Sequence, residues 1–195
     1  MINIAILASG SGSNAEAIVH HFRNSSTICV ALILTNRSTA GVVQRAERLG
    51  VPCLIFDRAE FNDPERFLSH FHHAGIDVVV LAGFLWLVPT YLVKAFDGKI
   101  LNIHPALLPE FGGKGFYGDH VHRAVLASGK PLSGITIHKV NEHFDEGDIL
   151  FQAACHVDKT DTVELLAQKV HALEHRFFPV VIEKFIGTMP ESIQQ

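Results

Sequence analysis

Ile2-Asn3-Ile4-Ala5-Ile6-Leu7-Ala8-Ser9-Gly10-Ser11-Gly12-Ser13-Asn14 is the stretch that decides the fold. Residues 2–8 are apolar apart from Asn3 and read as a buried strand. A turn of glycine and serine follows at once, and over residues 15–22 the apolar spacing turns helical. A glycine-rich turn between a buried strand and a helix N-terminus makes an anion site. Glycines such as Gly12 let the backbone approach a phosphate and the N–H groups of the first helical turn point at it, while Ser11, Ser13 and Asn14 add side-chain donors. A purely structural turn capped by Asn14 is the alternative.

Residues 27–34 form the second strand, which ends in Thr35-Asn36-Arg37. A nicotinamide dinucleotide site would want an acidic residue there and a small residue at Asn14, so NAD is disfavoured, while Arg37 leaves NADP formally open. Residues 40–49 read as a helix closed by Gly50, residues 51–56 as an edge strand opening at Pro52, and residues 58–73 as one amphipathic helix. His70, His72 and His73 on that helix lack a carboxylate at metal-like spacing and are read as a solvated helix end.

The most apolar strand, residues 77–81, has no polar face and is placed at the centre of a parallel sheet. It runs into Phe84, Leu85, Trp86, Leu87 and Val88, an apolar loop carrying the sole tryptophan, where such a sheet receives a flat ligand. Packing of these side chains beneath the helix at residues 90–96 is the plain alternative. Strand 99–103 then delivers Asn102 and His104 to one face, because side chains two apart point the same way, and Pro105 stops the pairing. An Asn amide can donate to an oxyanion and a neighbouring His can hold or move a proton near neutral pH. Neither is a strong nucleophile, so the pair suits transfer of an acyl group between two bound substrates better than a covalent acyl-enzyme.

Residues 111–118 contain four glycines and read as a mobile surface loop before a helix at 119–127. Strands at 134–140 and 149–156 flank the acidic turn Asp145-Glu146-Gly147-Asp148, and a long helix with a capping sequence at Asp161-Thr162-Val163-Glu164 covers residues 160–185, carrying Glu174. With 195 residues, no repeat and no linker, the chain is expected to be a single α/β domain with a mostly parallel sheet flanked by helices.

The formal charge of −4, with no basic run, gives nucleic-acid binding little support. Cys29, Cys53 and Cys155 lie in apolar runs and are read as small buried hydrophobes of a reducing compartment. The chain opens on a strand at Ile2, so no cleavable leader is expected, and its longest apolar run falls far short of a membrane span. A cytoplasmic location follows as the expectation, with no membrane partner.

The turn Ser9–Asn14, Leu81-Ala82-Gly83-Phe84, Asn102-Ile103-His104-Pro105-Ala106-Leu107-Leu108-Pro109, Asp145-Glu146-Gly147 and Glu174-His175 together resemble the glycinamide ribonucleotide formyltransferases, folate-dependent enzymes of purine biosynthesis. The H-P-x-L-L-P element is shared by the wider folate-linked formyl class, and the G-S-N turn narrows the resemblance to the ribonucleotide enzymes. The resemblance implies a seven-stranded, Rossmann-like formyltransferase fold over residues 1–195. It puts the nucleotide phosphate site in the N-terminal half, and the folate site and catalytic residues in the C-terminal half. It implies formyl transfer from 10-formyltetrahydrofolate, a co-substrate, to glycinamide ribonucleotide. It further implies no metal, and a monomer or weak homodimer.

By position, the resemblance makes Asn102, His104 and Asp145 catalytic, with a protonated His104 whose proton affinity Asp145 raises. It assigns Ser11, Gly12, Ser13, Asn14 and Glu174 to the nucleotide. Phe84, Leu85, Trp86, Leu87 and Val88 are assigned to the folate together with Asn102 and Asp145. Departures are a longer connection over residues 110–122, Trp86 where many members carry a polar or basic residue, and His171 in place of a polar amide. The alternatives are another formyl-folate transferase or hydrolase, such as a sugar-nucleotide formyltransferase or a formyltetrahydrofolate deformylase, and an NADP-binding oxidoreductase.

Overall fold

The computed structural model describes residues 1–190. Seven strands form one sheet in the order β3-β2-β1-β4-β5-β6-β7. The strands are β1 (Ile2–Leu7), β2 (Ile28–Thr35), β3 (Cys53–Ile55), β4 (Val78–Leu81), β5 (Ile100–His104), β6 (Leu132–Lys139) and β7 (Ile149–His156). The first five pair in parallel, and β6 and β7 join antiparallel, so the sheet is mostly parallel and β4 stands at its middle.

Alternation along the strands divides the core. Ile4, Ile6, Val78, Val80, Leu101 and Ile103 face one layer, built by α1 (Ser13–Phe22), α2 (Gly41–Leu49), α6 (Asp119–Ser128) and α7 (Val163–Gly187). Ala5, Leu7, Val79, Leu81 and Ile100 face the other, covered by α3 (Arg58–Phe61), α4 (Pro64–His73) and α5 (Thr90–Ala95). Strands apolar on both faces are what a sheet sandwiched between helices demands. Asn102 and His104 share the parity of Ile100 and so leave the sheet on its second face.

The helix expected over residues 58–73 is two helices. Asp57 caps α3 through Glu60 N, and Asp63 caps α4 through Arg66 N, with Pro64 in the first turn. A proline tolerates a first turn but not a helix interior, so the chain restarts there. The cysteines also differ from expectation. Cys29 is exposed, while Cys53 and Cys155 are half-buried against the first core layer, and all are free thiols. Parity explains Cys29, whose outward position on β2 lies between the buried Ile28 and Val30. No helix among the described residues is long and apolar enough to cross a membrane.

Candidate active site

The carboxyl ends of β1, β4 and β5 open into a cavity of about 590 Å³, lined by segments from both halves of the chain. The turn after β1 forms one end. Its Gly12 caps α1 with φ 79°, and no side chain caps the helix, which leaves the first N–H groups facing the cavity. Glycine is required there twice over, since a Cβ at residue 12 would stand 2.6 Å from Val42 Cβ as well as in a left-handed conformation. Arg45 of α2 steadies the turn by donating from Nε to Ser11 O at 2.8 Å.

Ser11, Ser13 and Asn14 all line the cavity, with the Asn14 side chain already engaged. Its Nδ2 donates to Glu174 Oε2 at 2.8 Å, and its Oδ1 is buried without a partner. Glu174 is 5% exposed, and burial pushes its carboxyl above the usual range, against the downward pull of the Asn14 hydrogen bond and the charge of His171. An enclosed carboxyl needs a donor, and Asn14 is the one supplied. His171 lines the same end, its ring stacked on His175 at 6.2 Å.

Gly83, with φ 74°, turns the chain at the end of β4 into the apolar loop. Ser9 fixes this loop by accepting from Leu85 N at 3.1 Å while donating to Asn36 Oδ1 at 2.7 Å. Phe84, Leu85, Trp86, Leu87 and Val88 all line the cavity, yet Val88 is buried and Leu87 exposed. Phe84 and Trp86 also pack on Phe61 at 5.6 and 5.4 Å, and the Arg58 guanidinium lies 3.6 Å over the Trp86 ring. The loop thus serves the second core layer and the cavity at once.

At the cavity floor the structure brings Asn102, His104 and Asp145 together. Asp145 Oδ2 lies 3.4 Å from His104 Nδ1, and Asp145 Oδ1 accepts from Asn102 Nδ2 at 3.4 Å. Asp145 has φ 57°, and its turn is seated by Gly147, where a Cβ would stand 1.8 Å from Lys139 O. The connection at residues 111–118, expected as a mobile surface loop, lines the cavity from Gly113 onward and is tied to both His104 and Asp145. Phe111 O lies 2.7 Å from His104 Nε2, and Gly113 N donates to Asp145 Oδ2 at 2.9 Å.

A carbonyl only accepts, so Nε2 of His104 carries a hydrogen and Nδ1, facing Asp145, is the nitrogen that titrates. Burial lowers the His104 proton affinity, the charge of Asp145 and the Phe111 carbonyl raise it, and His138 lowers it again. The net is downward, which overturns the expected rise. Asp145 acts in the expected direction, but an imidazole 3% exposed loses more from desolvation than one carboxylate returns. Asp145 itself is drawn up by burial and more strongly down by His138, His104 and Gly113 N–H, so it lies below the usual carboxylate range.

His138, on the strand expected over residues 134–140, joins this group although it was not among the expected site residues. Its Nε2 accepts from Asn102 Nδ2 at 3.0 Å and lies 3.5 Å from Asp145 Oδ1. The signal that could have found it is the period of two along β6, which puts His138 and Thr136 on one face, opposite Asn102 and His104. Among the described residues, no group of three or more His, Cys, Asp or Glu is placed to hold a metal.

A profile of the formyl transferase family matches residues 2–182. The chloroplastic phosphoribosylglycinamide formyltransferase of Arabidopsis thaliana is 44% identical over 185 residues, covering 92% of this chain, which spans only 63% of that protein's length. The phosphoribosylglycinamide formyltransferase of Bacillus subtilis (strain 168) is 36% identical, with 96% of both chains covered. The crystal structure of phosphoribosylglycinamide formyltransferase from Bacillus halodurans superposes with a TM-score of 0.88 at 35% identity, covering 99% of this chain and 100% of that one. With the sheet order, the cavity and these likenesses in agreement, the chain belongs to the formyl transferase family.

Proposed function

We propose that the protein transfers the formyl group of 10-formyltetrahydrofolate to the amine of glycinamide ribonucleotide, giving the formylated nucleotide and tetrahydrofolate. One observation carries the reading: Asn102, His104 and Asp145 meet on the floor of a cavity, between an uncapped helix N-terminus and an apolar, Trp-bearing loop. The names of the relatives point the same way. The phosphate lies on the N–H groups of Gly12, Ser13 and Asn14 with the Ser11 and Ser13 side chains, and Glu174, oriented by Asn14, takes the ribose and glycinamide end. The pterin lies along Phe84 to Val88. All these groups come from one chain, which supports a monomer or weak homodimer, and a cytoplasmic site of action fits the reaction.

The substrate amine attacks the formyl carbon, and Asn102 donates to the oxygen as it becomes an oxyanion. His104 enters neutral. With Nε2–H held by Phe111 O, its Nδ1 and Asp145 form a pair that accepts the proton shed by the attacking nitrogen, and the carboxylate stabilises the imidazolium so formed. The tetrahedral intermediate collapses by breaking the bond from carbon to folate N10, which takes the proton held by His104 and so returns the imidazole to its neutral form. The new amide and tetrahydrofolate leave, and no bond to the enzyme forms.

The test offers 10-formyltetrahydrofolate with glycinamide ribonucleotide, an amino-sugar nucleotide and water alone, following folate absorbance. Turnover with the ribonucleotide only is the expected result. Equal turnover without an acceptor would make the protein a deformylase, and preference for the sugar nucleotide would move the acceptor assignment.

A further inference from the structure

His138 enters no step above. It is 2% exposed on β6, between Asn102 across β5 and Ile149 across β7. Its Nδ1 lies 2.7 Å from the carbonyl oxygen of Lys139, the next residue. The carbonyl accepts, so Nδ1 bears the hydrogen and the neutral ring keeps a lone pair on Nε2. That lone pair faces Asn102 Nδ2 at 3.0 Å and Asp145 Oδ1 at 3.5 Å. Of these, the amide alone has a hydrogen to give to it, Asp145 being ionised.

The ends of an amide have the same shape, so hydrogen bonding alone fixes which one points where. With Nε2 as acceptor, Nδ2 of Asn102 turns toward His138, and the same NH2 group lies 3.4 Å from Asp145 Oδ1. A proton on Nε2 would invert the order. The ring would then donate to Asp145, and Asn102 would have to present its oxygen to the ring.

We propose that His138 is a positioning residue: anchored by the Lys139 carbonyl, it accepts one N–H of Asn102 and so turns the NH2 end of that amide inward, where the second N–H, held only by the long 3.4 Å contact to Asp145 in the free site, passes to the reacting carbonyl. This rests on Asn102 acting as the oxyanion donor. The titratable groups facing His138 are Asp145 from the turn between β6 and β7 and His104 from β5. Across β7 stands Ile149, which does not titrate.

The experiment compares His138→Leu, His138→Gln and Asn102→Ala in the full chain, with folding checked by Tm and each substrate varied separately. Gln places an acceptor oxygen near the site of Nε2 but does not titrate. His138→Leu is expected to lower kcat about 10- to 100-fold, the scale of a misplaced catalytic group, with both KM values near wild type. His138→Gln is expected to recover most of that loss. His138→Leu is expected to add nothing in the Asn102→Ala background. Full kcat in His138→Leu beside an impaired Asn102→Ala would overturn the proposal, as would a Gln variant no faster than Leu at equal Tm. Wild-type kcat in Asn102→Ala would instead remove the donor role of Asn102, and the reason for His138 with it.

Discussion

Asp145 is the point at which charge, shape and proton traffic meet, since it touches His104, Asn102, His138 and Gly113 N–H from a left-handed backbone. Asp145→Asn keeps the shape and removes the charge. Its kcat is expected to fall about 100-fold with KM little changed, the size usual for an acid–base participant, as steady-state kinetics would measure. The pH at which His104 loses its proton should also drop, because the one carboxylate that raises it is gone. Glu174→Gln should have the opposite effect on stability from the one it has on activity. The Glu174 carboxyl is pushed up by burial, so the fold favours its neutral form and is penalised as pH rises through the folded value. Gln keeps an acceptor for Asn14 without the charge. A Tm above wild type at pH 8, shrinking to no difference below pH 4.5, is the expected result, and an unchanged Tm at pH 8 would contradict it. Asn102 and His104 were legible in the sequence because a period of two is local. His138 was not, because its role depends on the register of β5 on β6, a pairing between residues 36 apart in sequence.

The turn between β1 and α1 shows how an element can be read for function and misjudged for packing. Gly12 is pinned by Val42 of α2 as well as by its φ, so a larger residue there would disturb the docking of α2 before it told anything of the phosphate. Gly12→Ala is expected to destabilise by about 1–3 kcal/mol, seen as a lower Tm, and Val42→Ala in the same chain should return only a small part of it, because the Cβ and Cα of residue 42 that crowd the new methyl both remain. An unaltered Tm would mean that the turn yields freely. The break between α3 and α4 was written in Asn62-Asp63-Pro64, but the apolar stripe of Phe61, Phe67 and Phe71 runs through it and reads as one helix. Both helices face the same core layer, which is why the stripe is continuous although the backbone is not. In the loop after β4, Trp86 divides its ring between that layer and the cavity, with Arg58 lying over it. A bound folate analogue should change the emission of this sole tryptophan, and constant emission at saturation would leave the loop a packing element only.

Over the whole molecule, the mostly parallel sheet with strand 77–81 at its centre was legible in the sequence because strands apolar on both faces and glycine-rich turns are local signals, whereas the strand order is a property of the fold. The cavity was not legible either, because it is assembled from eight or more segments that only the fold brings together. Its burial has a price in acid. His104, His122 and His175 are each drawn below their ordinary 6.5, with desolvation the largest cause in every case. His171 adds to the shift of His122 and His175, and Arg45 to that of His175. The unfolded chain therefore binds more protons than the folded one just below pH 6.5, and stability should fall as pH drops through that value. Thermal unfolding at pH 7.5 and 5.5 is expected to give the lower Tm at 5.5, whereas equal values would mean that these rings titrate as in solvent. The central claim concerns the path of one carbon. Protein mixed with glycinamide ribonucleotide and 10-formyltetrahydrofolate labelled with carbon-13 in the formyl group would be followed by NMR. The signal is expected to move from folate N10 into the formamide of the nucleotide in a one-to-one exchange, without free formate, and label accumulating as formate or staying on the folate would contradict direct transfer.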